Sequence, residues 1–259
     1  MSNNPRPVRV GVAGAAGKMG RAAIEAIQSD PRLTLAGLLY REEPVTALVV
    51  DVPAFTHPLD MLTDANLDVF LDLTNADSVV ANVDLAIAHR VSPVVGATGY
   101  SSDDIQRWDI LCRENGVGGI ACPNFSVGAL LMMRFASEAA RFFTHAEVIE
   151  LHHDGKRDAP SGTALRTVEA MVAAGAKTSS GSGQAPPSRG LMSAGVPIHS
   201  VRLPGLVAHQ EVLFGGLGEI LTIRHDSLSR DSFMPGLLEA CATVPSLSGM
   251  VYGLEKILF

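Results

Sequence analysis

With 259 residues, 47% of them hydrophobic and 18% charged, the chain holds enough apolar material for one large domain or two modest ones. No apolar run reaches the ~18 residues of a membrane span, the opening MSNNPRPVRV lacks a signal peptide's apolar core, and a formal charge of −7 with no Lys/Arg cluster argues against a nucleic-acid partner. Cys112, Cys122 and Cys241 have no metal spacing, so no metal is expected, and they read as reduced thiols of a cytoplasmic protein.

The first organised segment is VRVGVAGAAGKMGRAAIEAIQ. Its apolar run, 8–13, reads as a buried strand that breaks into Gly14, Gly17 and Gly20 and then enters a helix with Ala22, Ala23, Ile24 and Ile27 on one face. Glycine lets backbone approach a pyrophosphate closely, and a helix start offers free N–H groups and a positive dipole end. Three glycines alone also mark ordinary turns; the strand before and the helix after point to a dinucleotide site. Strands at 33–40, 67–74, 92–100 and 117–125 then alternate with helices at 78–90 and 101–116, the latter with Ser or Asp as N-cap and Gly116 as stop. That alternation predicts an α/β fold with a Rossmann-like, doubly wound parallel sheet. Ligands of such sheets sit beyond the carboxyl ends of strands, here Thr74, 96–99 and 123–125.

After Asn124 the pattern changes to a long amphipathic helix (126–143), a strand (146–153), a helix (161–174) and strands in 198–215 and 218–227. Residues 175–197, rich in Gly, Ser and Pro, read as a long mobile loop. The expected organisation is a dinucleotide-binding domain over 1–125, a second α+β domain over 126–230 with an antiparallel or mixed sheet, and a helical or short-looped tail, 231–259, folding back on the first.

The second domain carries VIELHHDGKRDAPSGTAL, residues 148–165. Strand alternation turns His152 and His153 to opposite faces, and two adjacent strand residues cannot easily chelate one metal ion. Lys156 falls in the loop beyond. Asp158 can N-cap the next helix, Pro160 suits its first turn, and the N–H groups of Ser161, Gly162 and Thr163 point outward. A helix start beside a lysine makes an anion pocket, and a neighbouring histidine is a candidate proton donor. Each feature alone has an ordinary structural explanation; together with a nucleotide fold they favour catalysis on a small anion.

This stretch resembles the signature of the dihydrodipicolinate reductase (4-hydroxy-tetrahydrodipicolinate reductase) family of bacterial lysine biosynthesis. VAGAAGKMGR, DLT, GATGYS, PNFSVG and VRLPGLVAHQEVLFGGLGEILTIRHDS agree with it in order, over nearly the whole chain. The resemblance implies reduction of a cyclic dicarboxylate by NADPH or NADH, with hydride delivered to ring carbon C4 and a proton to its neighbour. It assigns the catalytic acid and lysine to His152 and Lys156, and the substrate carboxylates to His153, Ser161, Gly162 and Thr163. Gly14, Gly17, Lys18, Met19 and Gly20 fall on its nucleotide loop; Gly96, Thr98 and Gly99, with the backbone of Cys122, Pro123, Asn124 and Phe125, would flank the nicotinamide, and Arg230 and Phe233 resemble residues at a second crossing between the domains. It also implies a homotetramer, with residues 175–197 as a packing arm. Two departures stand out: the segment between Tyr40 and Asp68 is short, and Tyr40 stands where many members carry an acidic residue. Arg41 follows it and could pair with a 2′-phosphate, which points to NADPH. The rival readings are another two-domain amino-acid or imine dehydrogenase and a silent nucleotide-binding sensor, the latter having no need of His152 or Lys156.

Overall fold

The apolar run before the glycine triplet forms β1 (Val8–Ala13), whose last four residues are buried. The computed structural model describes residues 6–43, 51–176 and 187–259. Its backbone forms two compact units, residues up to Phe125 together with Phe233–Phe259, and Ser126–Ser232.

In the first unit β1 is followed by α1 (Lys18–Ser29), β2 (Leu33–Leu39), β3 (Ala54–Phe55), α2 (Pro58–Asp64), β4 (Val69–Asp72), α3 (Val79–Ala88), β5 (Ser92–Val95), α4 (Ser102–Asn115) and β6 (Gly118–Ala121). The apolar stripe of α1 buries Ala23, Ile24 and Ile27. α4 begins on a capping box, Ser101 with Asp104, and ends on left-handed Gly116, as its flanking residues predict. β4, β5 and β6 are buried at every position, which is what a parallel sheet covered on both faces requires.

The second unit follows: α5 (Val127–Ala139), β7 (His145–His152), α6 (Gly162–Ala173), β8 (Leu191–Ser193), β9 (Val196–Arg202), β10 (Ala208–Gly216) and β11 (Glu219–Ser227). Its five-stranded sheet has the order β11-β10-β7-β9-β8. β7 pairs in parallel with β9 and antiparallel with β10, so the sheet is mixed. Ala136 of α5 and Ala164, Val168 and Met171 of α6 pack on Val148, Val212 and Phe214 of the sheet, forming this unit's core.

The chain then returns to the first unit as α7 (Met234–Thr243), β12 (Gly249–Tyr252) and α8 (Glu255–Leu258). β12 pairs in parallel with β6 and completes a seven-stranded sheet of order β12-β6-β5-β4-β1-β2-β3. The strand order reverses beside β1, so the turns after β1 and β4 open side by side, the usual ligand position in such sheets.

Several boundaries differ from expectation. The tail holds a strand as well as helices, because four residues are too few to show a periodicity. The run 198–215 is broken between β9 and β10 by a turn through Gly205, φ +89°. Residues 177–186 of the expected loop 175–197 lie outside the described residues. Those from 187 onward form a 3-10 turn, β8 and the start of β9, held to the sheet by backbone pairing rather than by apolar pattern.

Candidate active site

β1 ends in a turn that only glycine can make. Gly14 has φ +82°, and a Cβ there would stand 2.6 Å from the Leu73 carbonyl oxygen. A Cβ on Gly20 would stand 2.3 Å from the Gly14 carbonyl oxygen, so loop and helix touch backbone to backbone. α1 starts after Gly17 with no side-chain cap, leaving its first N–H groups for a ligand. Alongside lies a cavity of about 340 Å³ lined by Met19, Leu73, Thr74, Asn75, Ala76, Gly96, Ala97, Thr98 and Phe125. Asp72 fixes its edge: the fully buried carboxylate accepts from the Thr74 N–H at 2.8 Å, the Thr74 hydroxyl at 2.5 Å and Asn82 Nδ2 at 2.9 Å. Burial pushes the Asp72 carboxyl up against the pull of those bonds.

The second constellation lies at the end of β7. Glu150 and His152, two residues apart, share one face of the strand. Glu150 is fully buried, and its Oε2 accepts from His152 Nδ1 at 2.5 Å and from Arg202 Nη1 at 2.9 Å. Its Oε1 accepts from Arg202 Nη2 at 2.7 Å and from the Ser161 N–H at 3.2 Å. Burial raises the Glu150 carboxyl, but the hydrogen bonds from His152, Arg202 and Ser200 outweigh it and bring it to about 2. Arg202 lies opposite His152 in the β7–β9 register and also donates to the Asp158 carbonyl at 2.7 Å, pinning the loop that leads to α6. Ser161 caps α6, its hydroxyl accepting from the Ala164 N–H. Among the described residues the N–H groups of Gly162 and Thr163 have no partner, and the space beside the Gly162 Cα is open. Lys156 Nζ pairs with the Asp158 carboxylate at 2.8 Å, which holds that carboxyl below its usual range.

The family models for the dihydrodipicolinate reductase N-terminus and C-terminus match residues 8–125 and 128–258. The chain belongs to the dihydrodipicolinate reductase family. It is 44% identical to the 4-hydroxy-tetrahydrodipicolinate reductase of Geobacillus thermodenitrificans (strain NG80-2), over 97% of this chain and 99% of the relative. With that of Lactococcus lactis subsp. cremoris (strain SK11) it shares 45%, over 97% of each. The solved structure of a dipicolinate-bound dihydrodipicolinate reductase from Paenisporosarcina sp. TG-14 superposes with a TM-score of 0.87 at 39% identity, over 97% of this chain and 99% of that one. The activity is that of a dihydrodipicolinate reductase, an oxidoreductase of the diaminopimelate route to lysine: NADH- or NADPH-dependent reduction to tetrahydrodipicolinate of dihydrodipicolinate, or of its hydroxylated precursor with loss of water. Among the described residues no helix is long and apolar enough to cross a membrane.

Of the residues expected from the sequence at the nucleotide site, Met19, Thr74, Gly96, Thr98 and Phe125 line the cavity. Gly14, Gly17, Lys18 and Gly20 form the loop and helix start beside it. Cys122 is buried and donates its N–H to the Val95 carbonyl, and Asn124 is half-buried in the turn after β6. Arg41 is exposed just past β2, whereas Tyr40 turns inward, 5% exposed, with its hydroxyl unpartnered among the described residues. Arg230 belongs to the second unit, exposed on a 3-10 turn.

Three local expectations are corrected. Ser161, not Asp158, caps α6, because Asp158 is drawn to Lys156. The Ser161 N–H is engaged by Glu150 and is not open. His153 lies beyond the end of β7 and is exposed, so strand alternation does not govern it. Glu150 was readable from its spacing to His152; Arg202 was not, since only the β7–β9 pairing brings it there from 52 residues away.

Proposed function

We propose that His152, Lys156 and the start of α6 bind and protonate the cyclic dicarboxylate. The observation that carries this is one short segment, 150–163, holding open N–H groups at Gly162 and Thr163, a lysine, and a histidine whose Nδ1 is engaged while Nε2 has no partner among the described residues. One substrate carboxylate accepts from Gly162 and Thr163, where the helix dipole adds a positive end. Lys156 and His153 face the other, so binding exchanges the Lys156–Asp158 pair for a Lys156–carboxylate pair. Reduced nicotinamide, when bound, supplies the hydride to ring carbon C4. His152 gives its Nε2 proton to the neighbouring carbon, and Lys156 offsets negative charge as it develops.

The nucleotide belongs on the Gly14–Gly20 loop and in the adjoining cavity: a Cβ at Gly14 or Gly20 would run into the Leu73 or Gly14 carbonyl oxygen, so glycine there lets the loop close into the tight turn that a pyrophosphate needs. NADPH is the preferred cofactor, with exposed Arg41 at the adenosine end; inward-turned Tyr40 presents no carboxylate to repel a 2′-phosphate. The enzyme acts in the cytoplasm, consistent with three buried free cysteines. It works as a homotetramer, a reading supported by exposed Leu217, Ile220 and Leu221 at and beside the β10–β11 turn.

The test couples purified protein to freshly generated dihydrodipicolinate and follows nicotinamide absorbance. His152→Gln should lower kcat by about 10² or more while binding of pyridine-2,6-dicarboxylate survives. Wild-type turnover in that variant would remove His152 from the mechanism.

A further inference from the structure

We infer that Glu150, held by Arg202, is a positioning residue that makes Nε2 the proton-transferring nitrogen of His152. The inference rests on the proposed role of His152 as the acid.

An ionised carboxylate can only accept hydrogen bonds. Glu150 is kept ionised by a two-pronged bond from Arg202, at 2.7 and 2.9 Å, although it is fully buried. The ring nitrogen that meets it at 2.5 Å must therefore carry the hydrogen, so His152 is Nδ1–H when neutral. Its exchangeable proton then comes and goes at Nε2, and after giving that proton the ring needs no rotation before the next cycle. The same carboxylate accepts from the Ser161 N–H at 3.2 Å, so one buried group sets both the orientation of the acid and the place of the α6 start. Arg202 closes the arrangement by donating to the Asp158 carbonyl of the intervening loop.

A glutamine at 150 breaks this logic without changing shape. Its amide can rotate to present N–H to Nδ1, which would put the hydrogen of neutral His152 on Nε2 and leave Nδ1 as acceptor.

The first measurement uses the unmodified protein: 15N–1H NMR of the His152 ring, assigned by the signals lost in His152→Gln. The expected result is the Nδ1–H tautomer with a bare Nε2; an Nε2–H tautomer overturns the proposal. The second is a kinetic cycle of Glu150→Gln, His152→Gln and the double variant. Glu150→Gln should lower kcat at least about tenfold, up to the 10²–10⁴ worth of the acid itself, with inhibition by pyridine-2,6-dicarboxylate changed less than about threefold. In the His152→Gln background it should lower kcat no further, because the glutamine oxygen still accepts the Ser161 N–H and what the substitution removes acts through that ring. An equal loss in both backgrounds means a merely structural pair and overturns the proposal, as does wild-type kcat in Glu150→Gln when His152→Gln is impaired. Wild-type kcat in His152→Gln overturns the site reading itself, and this proposal with it. Should Glu150→Gln fail to fold, Glu150→Asp keeps a charge opposite Arg202 but draws its oxygens back from Nδ1. It should lose kcat with little change in inhibitor binding, and wild-type kcat there overturns the proposal.

Discussion

Gly162→Ala separates ligand binding from folding, because the structure leaves room for the new methyl. A Cβ at Gly162 would meet no atom within 4 Å, and its φ is not in the left-handed region. Alanine is favoured over glycine in a helix by up to about 1 kcal/mol, so the variant should melt no lower than wild type and somewhat higher if the first turn feels that preference. The same methyl tilts toward the helix N-terminus, the side from which a carboxylate must approach the Gly162 and Thr163 N–H groups. Displacing one charge-assisted hydrogen bond costs about 1.5–3 kcal/mol, and about 1.4 kcal/mol corresponds to tenfold in affinity. Inhibition by pyridine-2,6-dicarboxylate should therefore weaken roughly ten- to hundredfold while the thermal midpoint holds or rises. An inhibition constant unchanged in a variant that melts normally would mean that no carboxylate sits at the start of α6.

Two further outcomes are expected. Arg41 is exposed, so a phosphate pair there is solvent-screened and worth about 1 kcal/mol; Arg41→Ala should raise KM for NADPH about fivefold and leave that for NADH unchanged, and equal effects on both in steady-state kinetics would place the adenosine elsewhere. The Glu150 carboxyl falls from its usual 4.5 to about 2 on folding, so its contribution, about 3 kcal/mol, is complete above the unfolded-state value and is lost as pH falls toward the folded one. Urea melts at about pH 5 and about pH 2.5 should show a larger acid loss in wild type than in Glu150→Gln, which has no carboxyl to titrate; equal losses would count against it.

The sequence by itself determined what depends on neighbours along the chain. The run 8–13 followed by Gly14, Gly17 and Gly20 specified a strand, a tight turn and a helix start, because burial on both faces and a positive φ each restrict residue type locally. Ser101 and Gly116 marked the ends of α4 for the same reason. The small residues opening α6 were legible too. Only the tertiary structure decided what depends on pairing across distance. β12 becomes a strand by lying against β6, and β8 by lying against β9; neither has length enough for a pattern of its own. The Asp158 carbonyl is held by Arg202 from 44 residues away, and Ser161 takes the cap of α6. Arg202 reaches Glu150 only through the β7–β9 register, and without that guanidinium a carboxylate buried beside the acid would not remain charged.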